Sequence, residues 1–465
     1  MTTSAIDRVK DEASYPNRVV PVAEGWPEER GNKRSRLVRW VTTSGLALMD
    51  QGFISGSNFM IGIVLARWLT PDAYGSYALA FSVLLLLLPV YQSLLLEPMT
   101  VFGASSYRRS LRAYFKRLLA MHVTVAAAIV AVLGAFAVIV RYRAPSGPLP
   151  GALVGVTIAA PCILLFWLVR RVFYLGLSLV PAASAAGLYF TILISGMYAA
   201  YRFHRLSPLS AFLVMGLGAL ITSLLLLVCL KRQLASGETV SGSRELWRRH
   251  WEYGRWALAS CIAGWVPTYI YYPLLSSSSG MASVGELRAL TNLALPLFQT
   301  YTALSMVFLP HIARIRADKG SEQAMAFTRN VTMIFVSGAI LYWALVLPFR
   351  TVVFHLLYSG KYSEVGYLVP LVALESVLWC ATCGPATALR GIESPASVFW
   401  ARCASSAVSV VVGIAVTLTY GIHGALWAMA ASSGATLVVA FILLRKKVAK
   451  TVGTGCAIAE CTPIQ

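Results

Sequence analysis

Apolar stretches of about 20 residues recur along nearly the whole chain, from residue 40 to residue 444. A stretch of that length crosses the ~30 Å hydrocarbon core of a bilayer as one helix. Lipid offers no hydrogen-bond partners to backbone amides, so only helices and closed barrels span membranes. Barrel strands alternate apolar and polar residues, whereas 78–90 and 125–140 are apolar on every side. The sequence therefore predicts an all-α polytopic membrane protein.

About twelve spans can be placed, six in each half of the chain. The predicted spans are 40–66, 75–101, 118–140, 151–168, 175–200, 209–230, 256–275, 288–309, 331–349, 365–389, 398–419 and 424–444. We expect five regions: a basic, disordered cytoplasmic tail (1–39), a first six-helix bundle (40–230), a cytoplasmic interfacial hinge (231–255), a second six-helix bundle (256–446) and a cytoplasmic tail (447–465).

The formal net charge of +20 raises the question of nucleic-acid binding. In a membrane chain, however, Lys and Arg first report topology, because cytoplasmic loops collect them. The predicted external loops hold few basic residues, namely Arg67, Arg141, Arg143, Arg202, Arg205, Arg350 and Lys361. Nearly all the others fall in the tails and in the alternate loops. This asymmetry predicts that both termini are cytoplasmic, and we expect no nucleic-acid partner.

A faint repeat relates the two halves. Residues 72–79 open the second predicted helix of the first half, and residues 282–289 open the second helix of the other half. Gly75 and Gly285 occupy equivalent places in these segments. Because both halves start in the cytoplasm, a duplication would be parallel, about an axis along the membrane normal.

Two stretches of the chain, the second of them in two parts, resemble a known family. NFMIGIVLARWLTPDAYGSY (58–77), together with LRALTNLALPLFQ (287–299) and LPHIAR (309–314), is similar to the bacterial polysaccharide flippases. These form the Wzx-like (O-antigen or exopolysaccharide) branch of the multidrug/oligosaccharidyl-lipid/polysaccharide exporter superfamily. With helix count and length included, the resemblance covers residues 40–445. It implies two six-helix bundles around a central cavity in the bacterial inner membrane. It also implies transport of undecaprenyl-diphosphate-linked oligosaccharide from the inner to the outer leaflet, with polysaccharide polymerase machinery as a partner.

Polar residues form a stripe on each of two predicted helices. Ser44, Gln51, Ser55, Asn58 and Gly62 share one face of the first helix, whereas Asp50 falls outside that stripe. On the eighth helix the stripe consists of Arg288, Asn292, Gln299 and Thr302. We predict that both stripes line the cavity, and that Gln51, Asn58, Arg288, Asn292 and Gln299 contact substrate. The alternative is ordinary hydrogen bonding from helix to helix.

Arg288 is the principal candidate for substrate binding. Its guanidinium stays charged and suits bidentate binding of phosphate oxygens. It would then contact a substrate diphosphate or an acidic sugar. The alternatives are a structural pair with Glu286 or snorkelling to the membrane surface.

Acidic residues inside spans are rare and expensive, so each is a functional candidate. Glu375 in the tenth span and Asp50 in the first are predicted coupling-ion sites for a proton or a sodium ion, and Glu375 is the first candidate. A gate salt bridge or a satisfied structural partner is the alternative.

Arginines and aromatic residues near the span ends allow two interpretations. Arg170, Arg171 and Arg390 lie at the inner ends of matching helices, where they either draw a diphosphate headgroup to the cytoplasmic mouth or simply anchor the topology. Trp265, Tyr269, Tyr271 and Tyr272 suit an interfacial belt better than sugar stacking. Cys380 and Cys383 lie in an apolar helix and are interpreted as packing residues, so no cofactor and no metal site is expected.

Three other functional classes compete with the flippase. A multidrug antiporter of the same superfamily would prefer acids in its cavity, which Asp50 and Glu375 supply. A membrane glycan polymerase or ligase needs a sizeable external loop, yet the longest external loop expected here spans only 350–364. No P-loop, Gly-x-Ser-x-Gly elbow or His-Glu-x-x-His motif occurs, so an enzyme is disfavoured. A major-facilitator carrier has a characteristic loop of acidic and basic residues after its second helix. Residues 102–115, which follow the second predicted helix here, lack any acid, so this class is disfavoured.

Overall fold

The computed structural model describes residues 33–107, 110–143, 145–175, 178–233, 242–391 and 395–459. In chain order these residues form α1 (Lys33–Trp68), α2 (Pro71–Tyr91), a π-helical turn (Gln92–Leu96), α3 (Glu97–Ala104), α4 (Leu111–Arg143), α5 (Leu149–Val172), α6 (Val180–Arg202), α7 (Pro208–Gln233), α8 (Ser243–Tyr269), α9 (Tyr271–Ser278), α10 (Met281–Asn292), α11 (Leu295–Val346), α12 (Arg350–Tyr358), a 3₁₀ turn (Ser363–Leu368), α13 (Val369–Gly391), α14 (Pro395–Val408), a second π-helical turn (Ser409–Gly413) and α15 (Ile414–Ala459). Residues 1–32 of the predicted tail and 234–241 of the predicted hinge lie outside the described part. The residues from Ala47 onward belong to one structural unit, which contains the contacts reported below.

The all-helical fold class is confirmed, since the described residues form helices and turns without a strand. Eight segments are long and apolar enough to cross a membrane: Pro71–Ala104, Leu111–Arg143, Leu149–Val172, Val180–Arg202, Pro208–Lys231, Gln323–Val346, Ser363–Arg390 and Ala396–Lys447. Within a few residues at their ends, they account for nine of the twelve predicted spans, because the last segment contains two. The other three predicted spans lie on α1, on α8 with α9, and on α10 with the start of α11. Those helices carry most of the candidate site and are therefore less apolar.

Two glycines break long helices. Gly320 in α11 has φ 84° and ψ 174°, and Gly421 in α15 has φ 56° and ψ −132°. Left-handed values of this kind are open to glycine and costly for most other residues. Each break falls between two predicted spans, so the chain reverses there without a long loop.

Capping and a close approach set the start of α2. Thr70 is its N-cap and accepts a hydrogen bond from the amide of Ala73, and Pro71 occupies the first turn, where a missing N–H costs nothing. One turn later Gly75 packs against α10: a Cβ at this position would overlap the carbonyl oxygen of Met281. A Cβ on Gly285 would lie 2.7 Å from the carbonyl oxygen of Pro71 and 3.2 Å from the amide nitrogen of Gly75. The two glycines that mark the sequence repeat therefore pack against each other.

Candidate functional site

The polar stripe of α1 faces the polar stripe of α10 and α11, and we call this contact the seam. The Ser55 hydroxyl donates to Oε1 of Gln299 at 2.9 Å, and Nε2 of Gln51 donates to the Ser55 hydroxyl at 3.2 Å. Further along, Gly62 leaves room for Asn292, whose Nδ2 would lie 2.8 Å from a Cβ at that position. Gly62 and Ser55 are seven positions apart, and so are their partners Asn292 and Gln299, which follow in the opposite order along the chain. The two segments therefore run antiparallel in one register.

The other members of the two stripes lie along the same helices. Asn58 is half-buried on α1 between these two contacts, and Thr302 is exposed one turn beyond Gln299. Ser44 lies at a position whose side chain is outside the described part.

Arg288 lies one helical turn before Asn292 on α10, at the end of the seam, and is buried with 7% of its surface exposed. Among the described residues no carboxylate lies within ion-pair distance of it, so neither pairing with Glu286 nor snorkelling is observed. Its electrostatic neighbours are instead the hydroxyls of Tyr74, Tyr269 and Tyr272. The guanidinium carbon lies 5.3 Å from the ring centre of Phe81, a cation–π distance.

Two polar atoms in the seam are buried and lack a described hydrogen-bond partner. They are Nε of Arg288 and Oδ1 of Asn292, one helical turn apart. The amide nitrogen of Asn292 is satisfied, since it donates to the hydroxyl of Tyr74 at 2.7 Å. An unsatisfied buried polar group costs about 1–3 kcal/mol. A ligand that both accepts and donates hydrogen bonds would remove that cost at the two positions together.

Tyrosines also fix the break between α10 and α11. Helical geometry is lost around Leu293 and Ala294, which frees carbonyl groups from the helical ladder. The hydroxyl of Tyr342 donates to the carbonyl of Leu293 at 2.7 Å. The hydroxyl of Tyr358 donates to the carbonyl of Ala289 at 2.9 Å. These bonds hold the segment that carries Arg288 and Asn292 in a defined place.

Asp50 belongs to a separate ionic cluster. Arg170 of α5 donates to Oδ1 of Asp50 at 3.0 Å, and the Tyr174 hydroxyl donates to the other carboxylate oxygen. Asp50 is 2% exposed and Arg170 is 6% exposed. The structure thus joins a predicted coupling acid to a predicted mouth arginine, and both charges are neutralised within the protein. Arg170 is not exposed at a mouth, because the carboxylate holds it inside.

Glu375 of α13 is buried and accepts a hydrogen bond from the Ser433 hydroxyl of α15 at 3.1 Å. Within the described part of the chain, no Lys, Arg or His lies within ion-pair distance of this carboxylate. The next residue, Ser376, receives the indole N–H of Trp343 at 2.8 Å. Glu375 therefore lies at the packed interface of α13 with α15.

The remaining inner arginines have different surroundings. Arg171 is half-buried, its guanidinium carbon lies 5.6 Å from the Tyr174 ring centre, and its Nε has no described partner. Arg390 is exposed and donates to the carbonyl of Ala386 at 3.4 Å. Arg402 donates to the carbonyl and the hydroxyl of Ser260 at 3.2 Å each. It links α14 to α8, a contact with no short-range signal in the sequence.

The aromatic-belt interpretation is wrong for Tyr271 and Tyr272. Tyr271 is fully buried and donates to the Ser409 hydroxyl at 3.1 Å, and Tyr272 is 2% exposed, close to Arg288. Trp265 and Tyr269 are half-buried, and the indole N–H of Trp265 donates to the carbonyl of Ser82 at 3.1 Å. The α8–α9 segment packs against α2, which turns these rings into the protein rather than to the headgroups.

His250 is a residue that sequence reasoning missed. It lies in α8 before the predicted seventh span, is 1% exposed, and bonds the carbonyl of Leu94 in the π-helical turn at 3.0 Å. Its other ring nitrogen lies 2.9 Å from the Tyr114 hydroxyl. Because a carbonyl only accepts, Nδ1 carries the proton and Nε2 accepts from the tyrosine. Burial lowers the pKa of His250 from its ordinary value of 6.5, against the opposing effect of the bond to Leu94.

No group of three or more His, Cys, Asp or Glu residues suited to a metal ion occurs among the residues that the structure describes. Cys380 and Cys383 are buried, and the Cys383 thiol donates to the carbonyl of Trp379 within its own helix.

Comparison with known proteins adds structural similarity. No family profile matches the chain, and no curated protein matches its sequence. Three of the similar solved structures are transporters or flippases. An inward-facing multidrug resistance MATE family transporter of the MOP superfamily has a TM-score of 0.73 and 13% identity, over 87% of this chain and 96% of that one. The lipid II flippase MurJ, in an inward closed conformation, has a TM-score of 0.66 and 11% identity, over 87% of each chain.

A MOP superfamily transporter from Pyrococcus furiosus has a TM-score of 0.59 and 15% identity, over 90% of this chain and 97% of that one. The similarity therefore extends over nearly the full length of the known transporters. This chain has the multi-pass membrane fold shared by MATE transporters and the MurJ flippase.

Proposed function

We propose that this protein is a flippase that moves oligosaccharide linked to undecaprenyl diphosphate from the inner to the outer leaflet of the bacterial inner membrane. It would work by alternating access, with the seam between α1 and α10–α11 closing and opening around the headgroup. Such a substrate presents both negative phosphate oxygens and sugar hydroxyls. The site must therefore supply a cation together with hydrogen-bonding groups.

The observation that carries this proposal is the unpaired charge of Arg288. Burying a cation without a counter-ion is expensive, so a buried guanidinium without a carboxylate favours an anionic ligand. The free Nε of Arg288 would donate to a phosphate oxygen. The free Oδ1 of Asn292 would accept from a hydroxyl. Gln51, Ser55 and Gln299 extend the polar seam along α1 and α11 for the glycan.

A multidrug antiporter of the same superfamily is the second candidate. Glu375 favours it, because a buried carboxylate with no described cation beside it suits a coupling proton or a cationic ligand. Asp50 gives less support, since Arg170 already neutralises it. The cation at Arg288 would repel a cationic drug from the seam, and for that reason we favour the flippase.

Binding measurements separate the two functions. The purified protein in nanodiscs should bind undecaprenyl diphosphate more tightly than undecaprenol, and Arg288→Ala should weaken diphosphate binding by about 10- to 100-fold, as expected for a lost charge-assisted hydrogen bond. Arg205→Ala, which removes an exposed arginine from a predicted external loop, is the matched control and should bind as the parent does. Tight binding of ethidium by the parent, with no preference for the diphosphate, would favour the antiporter.

A further inference from the structure

A cavity of about 590 Å³ lies between α11, α13 and α15, and all its described lining residues fall within 325–445. Apolar side chains dominate it, among them Met325, Met333, Val336, Leu437 and Phe441. Met333 is 60% exposed and Phe441 is 45% exposed, so the cavity is a groove that opens sideways. On a membrane-spanning protein a sideways opening faces lipid. A volume of this size is typical of sites for small organic ligands.

Two arginines also line the groove, Arg329 of α11 and Arg445 of α15, and the described lining contains no acid. The guanidinium carbon of Arg445 lies 4.4 Å from the ring centre of Phe441, a cation–π distance. In the described residues neither arginine has a carboxylate within ion-pair distance. Both positive charges are therefore available to an anion.

The packing places both arginines at the same end of the groove. Met325 of α11 packs against a cluster that contains Leu389 of α13 and Leu444 of α15. At the other end, Glu375 of α13 meets Ser433 of α15, and Trp343 of α11 meets Ser376 of α13. Arg329 and Arg445 thus lie near the end marked by Leu389 and Leu444, and Val336 and Leu437 lie deeper. With the predicted cytoplasmic termini, the arginine end faces the cytoplasm.

The dimensions fit one leaflet. Seven residues separate Arg329 from Val336, and at 1.5 Å per residue they span about 10 Å. Half of a ~30 Å hydrocarbon core is about 15 Å. A phosphate at the arginines would place the first part of an acyl chain along Met333, Val336 and Phe441. In the wall of the groove, Gly384 of α13 leaves space for the side chain of Thr332 of α11. The Thr332 hydroxyl donates to the carbonyl of Thr328 on its own helix.

We propose that this groove binds one anionic glycerophospholipid of the inner leaflet, with its phosphate between Arg329 and Arg445 and an acyl chain against α11 and α15. Basic pockets between spanning helices on the cytoplasmic side suit such headgroups. The described lining contains nothing from the first half of the chain, so the occupant stays at the lipid-facing side and does not pass through the seam at Arg288. The proposal does not depend on the transported substrate.

Native mass spectrometry of the purified protein tests the proposed lipid site. It compares the binding of phosphatidylglycerol with that of phosphatidylcholine carrying the same acyl chains. The parent should bind phosphatidylglycerol preferentially. The double variant Arg329→Gln with Arg445→Gln should bind it roughly 25-fold more weakly, at about fivefold for each arginine. Arg445→Lys keeps the charge and should bind close to the parent. Ala381→Phe fills the groove and should weaken binding of both lipids.

The matched control is Lys231→Gln with Arg244→Gln, which removes two exposed charges from the same predicted side but outside the groove. It should bind phosphatidylglycerol as the parent does. Equal binding by the parent, this control and the groove double variant would overturn the proposal. So would displacement of phosphatidylglycerol by an equal concentration of undecaprenyl phosphate, which would assign the groove to the carrier lipid. Size-exclusion chromatography confirms that each variant is folded before it is compared.

Discussion

At the scale of single residues, the seam keeps a charge that the protein does not neutralise. Arg170 and Asp50 show the usual solution for buried charges, since each satisfies the other at 3.0 Å. Arg288 instead has tyrosine hydroxyls and the Phe81 ring as neighbours, and among the described residues no carboxylate pairs with it. The charge of Arg170 is thus neutralised within the protein, whereas the charge of Arg288 remains available to an anionic ligand.

The sequence predicted which residues form the two stripes, because helical periodicity is local. It also predicted that Asp50 points away from its stripe, which agrees with the pairing to Arg170. It could not predict that pairing itself, or the tyrosines around Arg288, because these contacts join residues up to 214 positions apart. Tyr272 looks interfacial from its neighbours along the chain. Only the packing of α9 against other helices buries it.

Glu375 provides the prediction for coupling. A carried unit charge is worth about 2.3 kcal/mol per 100 mV, so loss of a titrating carboxylate at the coupling site removes the response to the gradient. We expect Glu375→Gln, which keeps the acceptor for Ser433, to transport at a rate independent of an imposed proton or sodium gradient. Vesicles with imposed gradients measure this. Glu364→Gln, at an exposed position, is the control, and a parental gradient response in Glu375→Gln would assign Glu375 a structural role.

At the scale of helices, the contact of α2 with α10 depends on two residues without side chains. The sequence repeat identified Gly75 and Gly285 as equivalent. Periodicity gave no reason to expect that they touch. Their packing lets two backbones approach as small residues do in membrane helices generally.

Gly75→Ala should therefore destabilise the protein by about 1–3 kcal/mol or more, since the added methyl group meets the carbonyl oxygen of Met281. Gly52→Ala is the matched control on α1: nothing lies within 4 Å of its Cβ position, so it should be neutral or stabilise by up to about 1 kcal/mol. Thermal unfolding in detergent measures both. Equal melting temperatures for the two variants would contradict the packing.

The contact of α8 with the π-helical turn predicts a pH dependence. His250 is neutral in the fold and its pKa is lowered by burial, so the unfolded chain takes up a proton at higher pH than the folded one. Its contribution to stability is complete above about pH 6.5 and is lost as the pH falls below that value. Tyr114 faces the ring, and Arg249 next to it donates to Tyr107. The melting temperature of the parent should fall between pH 7.5 and pH 5.5 more steeply than that of His250→Gln, and parallel curves would contradict this role.

At the scale of the whole molecule, composition and span length predicted the fold class, and the resemblance predicted the transporter fold that the solved structures share. Three predicted spans would be missed by apolarity alone, because the helices that carry the site are the polar ones. Gly320 and Gly421 separate neighbouring spans by a break at a single residue, and hydropathy alone does not locate so short a boundary.

The orientation in the membrane that the arginine distribution predicts can be tested directly. Reporter tags at Gly147 and Ser279 should be external, and tags at Ser241, Gly320 and Thr454 should be cytoplasmic. Gly147 and Gly320 have positive φ and lie where helices end or break, so short insertions there should be tolerated. A cytoplasmic signal at Ser279 would break the arrangement of six helices plus six.

Translocation itself tests the central claim most directly. Proteoliposomes with labelled oligosaccharide on undecaprenyl diphosphate should show transfer between leaflets with the parent and with Arg205→Ala. Arg288→Ala should fall to the rate of empty vesicles, and Arg288→Lys should be intermediate, because an ammonium cannot reproduce the bidentate contact of a guanidinium. Transfer by Arg288→Ala at the parental rate, with equal amounts of incorporated protein, would contradict the account.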